Sequence, residues 1–276
     1  MHKRTAHHGF TLVELVMVIV IMGVIGGMVS VFMKSPIDAY IASSRRAALT
    51  DTADTTVRRM ARDIRKSLPN SISTTADNQC LEFIPTKVGG RYRTGDLTAG
   101  DGTGLNFVAA DTTFNMLGDN AAFAADQKIA AADVIVVYNL GITGADAYSA
   151  NNTALVSSVS SAAGTPLETP ITIASTLFPL ASSSNRFHVV PSTEKTVAYV
   201  CSGSTLYRVS KTTLAHICPV TPAATDAVLA QNLSSCKLDY SGSDLLRNAV
   251  VSLQIQMTNS GETVSLQHEV HVSNTP

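Results

Sequence analysis

Tryptophan is absent from this chain and aromatic residues make up only 5% of it, so a binding site built on stacked rings has little material to use. Charge is scarce as well: 15% of residues are charged and the formal net charge is −1. Phosphate backbones are bound by concentrated basic faces, so nucleic acid is not an expected partner. The four cysteines, Cys80, Cys201, Cys218 and Cys236, form no C-x-x-C pair, which argues against a zinc ribbon or a thioredoxin-like redox site. P-loop and G-x-S-x-G patterns are missing too. Gly100, Gly102 and Gly104 alternate, yet no helix follows them to offer its N-terminus to a phosphate. Neither an enzymatic activity nor a cofactor is expected.

What is present is concentrated at the N-terminus. His2, Lys3, Arg4, His7 and His8 form a short basic leader, and from Leu15 to Met33 no side chain is charged. A helix of that length rises about 28 Å, close to the hydrocarbon thickness of a bilayer. Lys34 and Pro36 close the run. The positive cluster comes first, which keeps the N-terminus cytoplasmic and exports the rest. A secretory signal would place a small-residue cleavage site after the apolar run, and none follows Met33. A plain signal anchor leaves Glu14 unexplained. An acidic residue near a helix start in lipid is costly, about 2.5–3.5 kcal/mol at the helix centre and less toward the interface, so Glu14 calls for a partner.

The hexapeptide Gly9-Phe10-Thr11-Leu12-Val13-Glu14 resembles the processing site of type IV pilins and type II secretion pseudopilins. The resemblance implies cleavage after Gly9 by a prepilin peptidase, N-methylation of the new terminus Phe10, and an assembly role for Glu14, whose carboxylate meets the N-terminal amine of a neighbouring subunit. Two charges that are each costly in lipid offset one another when paired. Gly23, Gly26 and Gly27 lie inside the span, where glycine weakens a helix by about 1 kcal/mol each. They serve either local melting or close helix packing.

Beyond Pro36, Val57, Met60, Ala61, Ile64 and Leu68 recur at helical spacing with arginines and lysine between them. The helix is expected to stop near Leu68, because Pro69 disfavours helical geometry just before it. From Cys80 onward, short β-branched runs (81–84, 134–138, 197–201, 206–209, 250–257 and 263–272) predict strands, with hairpins at Ser202-Gly203-Ser204 and Asn259-Ser260-Gly261. The expected fold is α+β: a long N-terminal helix, half transmembrane, packed on an antiparallel β-sheet head. The expected organisation is a leader at 1–9, a membrane and assembly helix at 10–34, its amphipathic continuation at 35–68, and a periplasmic head at 69–276. Residues 141–184, rich in Ser, Thr, Ala and Asn, predict an exposed insertion or weakly structured subdomain.

An even number of widely spaced cysteines behind an export signal predicts two disulfides, with three connectivities open. Cys201–Cys218 with Cys80–Cys236 is the pairing favoured here. No metal site is expected. Asp96 and Asp101 are the oxygen donors a calcium ion would use in the loop 94–104, but the spacing is not that of an EF-hand, and turns favour the same residues. His268-Glu269-Val270-His271 lacks the H-E-x-x-H spacing, and on a strand its histidines point to opposite faces.

The leader and span, the segment Val57–Ile72 and the ending Gly261–Pro276 resemble the large O-type minor pilins of mannose-sensitive haemagglutinin (MSHA) pilus systems. The helix is also similar to J-type pseudopilins and W-type minor pilins. The resemblance implies a minor, tip-located pilin that primes fibre assembly, with other minor pilins, the major pilin, an inner-membrane assembly platform and membrane lipid as partners. The implied location is the bacterial inner membrane, head in the periplasm, and then the pilus tip. A type II secretion pseudopilin and a tip adhesin binding a surface glycan are the alternatives.

Overall fold

The computed structural model describes residues 9–240 and 248–276; the basic leader from His2 to His8 lies outside the described residues. One helix, α1 (Leu12–Arg65, 54 residues), dominates the N-terminal quarter and continues through Pro36. Its first half exposes apolar side chains on every side: Val16, Ile19, Met22, Ile25 and Val29 are all half exposed or more. In its second half Leu49, Ala53, Val57, Met60 and Ile64 form a buried stripe at the three- and four-residue spacing of one helix face. Burying side chains of this size stabilises the fold by about 1.5–3 kcal/mol each. The helix ends at Arg65, ahead of the expected Leu68. The Lys66 amide tightens onto the Asp63 carbonyl and the Ser67 amide onto the Ile64 carbonyl, each at 3.0 Å, and the Leu68 amide leaves the helical pattern to bond the Ile84 carbonyl at 2.8 Å.

Fourteen strands follow among the described residues: β1 (Ser73–Thr74), β2 (Cys80–Phe83), β3 (Val88–Arg91), β4 (Asp111–Leu117), β5 (Val134–Val137), β6 (Thr153–Val159) and β7 (Glu168–Thr176). The second seven are β8 (Arg186–Val190), β9 (Thr196–Ser202), β10 (Thr205–Lys211), β11 (Ala227–Gln231), β12 (Leu233–Asp239), β13 (Asn248–Asn259) and β14 (Glu262–Ser273). The arrangement is α+β with antiparallel sheets. One sheet has the order β1-β2-β9-β10-β11, a second β12-β13-β14, and a third β3-β8-β5-β6-β7-β4. The first two share a core with α1, in which Met60 and Ile64 meet Leu81, Phe83, Tyr199, Leu253 and Ile255.

The third sheet is an insertion. The chain leaves the first sheet after β2, makes all six strands of the third, and returns at β9 to pair with β2. A bridge between Tyr92 and Met116 brings the two ends of the strand order together, so this sheet curls round its own core of Phe114, Ile135, Val156, Ile171 and Phe187. It stands beyond the end of α1: Leu68 packs with Val134, Val136 and Val190, and Asn139 donates to the Pro69 carbonyl at 2.7 Å. Residues 141–184, expected as an exposed insertion or a weakly structured subdomain, carry β6 and β7 of this inserted sheet. Ala154, Val156, Ile171 and Ile173 point into the core, while the abundant Ser and Thr occupy other strand positions, where threonine is well suited.

The disulfides are Cys80–Cys218 and Cys201–Cys236, which corrects the favoured pairing of Cys201–Cys218 with Cys80–Cys236. The reason is the two-residue period of a strand. Cys80 pairs in register with Val200 and shares that face of the sheet with Ala198, Val209 and Cys218. Cys201, the next residue after Val200, points to the opposite face, where Cys236 belongs to the helix-side core.

Candidate functional site

The chemistry that the sequence marks lies at the start of α1. Gly9 and Phe10 precede the helix, and the Phe10 side chain is 83% exposed. Thr11 is the N-cap. The Glu14 amide donates to Thr11 Oγ1 at 3.3 Å, and the Glu14 carboxylate accepts from the Thr11 amide at 3.4 Å, forming a reciprocal capping box. The T-x-x-E spacing is itself the signal for such a cap. Considering Glu14 only as an acid in an apolar setting overlooks Thr11.

This geometry gives Glu14 two properties. The carboxylate sits in the first turn, at the positive end of the helix dipole. Its bonds to Thr11, at 3.4 and 3.5 Å, are long. An ammonium group approaching the exposed carboxylate would make a charge-assisted bond of about 2.7–2.9 Å, roughly twice as strong as a neutral one. The capped carboxylate can therefore be exchanged from its own chain to a cationic partner.

Along the same helix, Gly23, Gly26 and Gly27 have no atom within 4 Å of where a Cβ would stand. Ser30 Oγ donates to the Gly26 carbonyl at 2.8 Å. Gly23 and Gly27 are one turn apart and share a face, so a second helix can approach the backbone there closely. The helix is long and apolar enough to cross a membrane.

The other marked residues do not join this site. Asp96 accepts from the amides of Gly100 at 3.0 Å and Gly104 at 3.1 Å. Asp101 accepts from Thr98 and Thr103 amides at 2.7 and 3.0 Å. Both carboxylates are turned onto their own loop; desolvation acts to raise the pKa of Asp101, but the bonds from the Thr103 hydroxyl and the loop amides bring it below the usual carboxylate range. His268 faces α1 and His271 is exposed on the opposite side of β14. A buried carboxylate that sequence patterns do not mark is Glu82. It accepts from the Ile217 and Cys218 amides, each at 2.7 Å, and contacts His216 Nδ1 at 2.5 Å. These bonds fasten the segment that carries Cys218 over the far face of the first sheet.

Residues 4–30 match the family model of the prokaryotic N-terminal methylation motif. The match spans part of the basic leader, the Gly9–Glu14 hexapeptide and most of the apolar run, and it indicates a type IV pilin-like chain. No similar curated protein and no similar solved structure is found.

Proposed function

We propose that this chain is a minor pilin that stands at the tip of an MSHA-like type IV pilus and primes its assembly. A prepilin peptidase cuts after Gly9, Phe10 becomes the N-methylated terminus, and α1 holds the subunit in the inner membrane with the head in the periplasm. Glu14 then gives up its contact with Thr11 for the N-terminal amine of a neighbouring pilin. The partners are other minor pilins and the major pilin through their helices, together with the assembly platform. The role is structural rather than enzymatic.

The observation that carries this reading is the inserted six-stranded unit, which stands beyond the end of α1. In a fibre whose subunits stack along parallel helices, that is where the head of the next subunit outward would lie. A subunit in the body of the fibre has neighbours above and below, whereas one at the end has neighbours on one side only. A head extended past its own helix is therefore accommodated best at the tip. The exposed Phe10–Glu14 segment and the glycine face at 23–27 support docking from below.

The test is filament counting by electron microscopy in a clean deletion, with immunogold labelling of the tagged protein on sheared fibres. Few fibres in the deletion and label at single ends in the complemented strain are expected. Abundant unlabelled fibres together with lost protein secretion would replace this reading with a pseudopilin. Abundant fibres with end label and lost attachment would make the protein an adhesin.

A further inference from the structure

The second sheet ends on β14, and its outer edge is open. All of β14 pairs with β13 in one unbroken register, from Asn248↔Ser273 to Asn259↔Glu262, and among the described residues no strand pairs with its other side. Proteins blunt such edges with charged side chains (lysine above all), proline, bulges or very short strands; the sequence ETVSLQHEVHVS has no lysine or proline, and its two charged residues are Glu262, paired with Arg46, and Glu269. The other edges are treated differently. β1 has 2 residues, β10 and β11 meet across a bulge, and β3 and β4 are drawn together at Tyr92 and Met116. At β12, Leu233 and Leu238 donate to the Ser204 and Asn78 carbonyls, each at 2.9 Å.

Beside the open edge, α1 and β14 enclose a groove of about 410 Å³. Val57, Ala61 and Leu266 give it an apolar lining, and Arg58, Arg62 and Arg65 stand along one wall. Arg58 is held by Asp54 at 2.7 Å, while Arg62 and Arg65 make no ion pair among the described residues. His268 lines the same groove, and its Nε2 is buried without a hydrogen-bond partner. Arg46 bonds Glu262 at 2.7 Å and Arg62 lies by His268, so helix and strand run side by side.

We propose that β14 receives an extended, acidic segment of a different membrane-anchored subunit, added as a fourth strand to the sheet β12-β13-β14. Backbone hydrogen bonds supply the affinity and the arginines select the partner. Side chains on one face of the added strand recur about every 7 Å. Arg58 and Arg65 are about 10 Å apart along the helix, so carboxylates two residues apart reach the arginine row. The different subunit, as opposed to other occupants, follows from geometry. Lipid headgroups are too far away, because Arg58 stands about 37 Å of helix beyond Met33. A second copy of this chain fits badly. Two-fold pairing of β14 with β14 would set the two arginine rows against each other and run the two α1 helices antiparallel, so both could not enter one membrane in the same sense. The proposal rests on the reading that the head faces neighbouring subunits, but its test does not use filaments.

The test uses the full chain in detergent micelles and three nine-residue probe peptides: alternating valine and glutamate, alternating valine and lysine, and the acidic peptide with a fully N-methylated backbone. Binding is followed by fluorescence anisotropy and hydrogen exchange. The acidic peptide is expected to bind and to slow exchange at β14 amides, with affinity falling as salt rises. The double variant Arg62→Glu/Arg65→Glu is expected to bind it at least tenfold more weakly, to unfold at the same temperature, and to prefer the lysine peptide. Equal binding of acidic and lysine peptides, undiminished binding of the N-methylated peptide, or no binding at millimolar peptide would overturn the proposal. So would concentration-dependent dimers with β14 protected in the absence of peptide, which would assign the edge to self-pairing.

Discussion

The Tyr199 hydroxyl donates to Asp63 Oδ2 at 2.7 Å, joining β9 of the first sheet to the last turns of α1. Arg208 reaches the same oxygen at 3.1 Å and holds Glu194 at 2.9 Å. Burial first, and then the Asp63 charge, push the Tyr199 hydroxyl well up, so it remains a donor across the ordinary pH range. Burial works against the Arg208 charge, but Glu194 and Asp63 raise its pKa on balance.

Asp63→Ala is therefore expected to leave a buried hydroxyl without its acceptor and a partly buried guanidinium with one partner fewer. The expected loss is about 1–3 kcal/mol. Tyr199→Phe removes only the donor, leaves Asp63 bonded to Arg208, and is expected to cost about 1 kcal/mol. Urea denaturation of both variants checks the order; equal costs would mean that the helix is not held by this bond.

Much of this frame is legible in the sequence. The stripe of Val57, Met60, Ala61 and Ile64 faces the core at the expected spacing, and the pairs β9–β10 and β13–β14 turn at Gly203 and Gly261 as the local residues suggest. The six-stranded insertion is not legible, because its strands pair across long separations, such as β3 with β8, and its Ser and Thr suit loops and strands alike. Cysteine pairing is hidden for a related reason. Neighbours Val200 and Cys201 point to opposite faces, and which face meets Cys218 is decided by the path of the segment before it. At the N-terminus everything is local, so Gly9, Phe10 and Glu14 stand out and the contact between Thr11 and Glu14 needs only a four-residue pattern.

Acid is expected to weaken the head through His188. Burial, and secondly the charge of Arg186, lower its pKa from 6.5 to about 4. In the unfolded chain the imidazole takes up a proton near pH 6.5, and in the folded chain only near 4. The unfolded state thus binds more protons between these values. Stability is full above pH 6.5 and declines as pH falls toward 4, by on the order of 3 kcal/mol. Paired carboxylates such as Glu168, lowered chiefly by its hydrogen bond to Arg93, add their loss at lower pH. Urea midpoints at pH 7, 5.5 and 4.5 measure the slope, and His188→Gln is expected to flatten it.

The disulfides differ in the span they close. Cys80–Cys218 joins residues 138 apart in sequence and Cys201–Cys236 joins residues 35 apart. By loop entropy each stabilises the head by about 3–5 kcal/mol, the longer span by about 1 kcal/mol more. Cys80→Ala/Cys218→Ala is expected to lower stability further than Cys201→Ala/Cys236→Ala. Peptide mapping without reduction gives the connectivity itself, and a Cys201–Cys218 peptide would contradict the opposed faces of β9.

Glu14 provides the sharpest separation between a local and an intersubunit role. If its carboxylate served only as a helix cap, Glu14→Gln would preserve function, since glutamine also completes a capping box. If it pairs with the amine of a neighbouring subunit, glutamine removes the charge and leaves an ammonium unpaired in an apolar setting, where a lone charge is costly. Glu14→Gln and Glu14→Ala are therefore both expected to permit cleavage after Gly9 and to reduce incorporation into fibres at least tenfold, while Glu14→Asp retains part of it. Mass spectrometry of the mature N-terminus and immunoblots of sheared fibres read the two steps separately. Normal incorporation of the glutamine variant would confine Glu14 to capping its own helix.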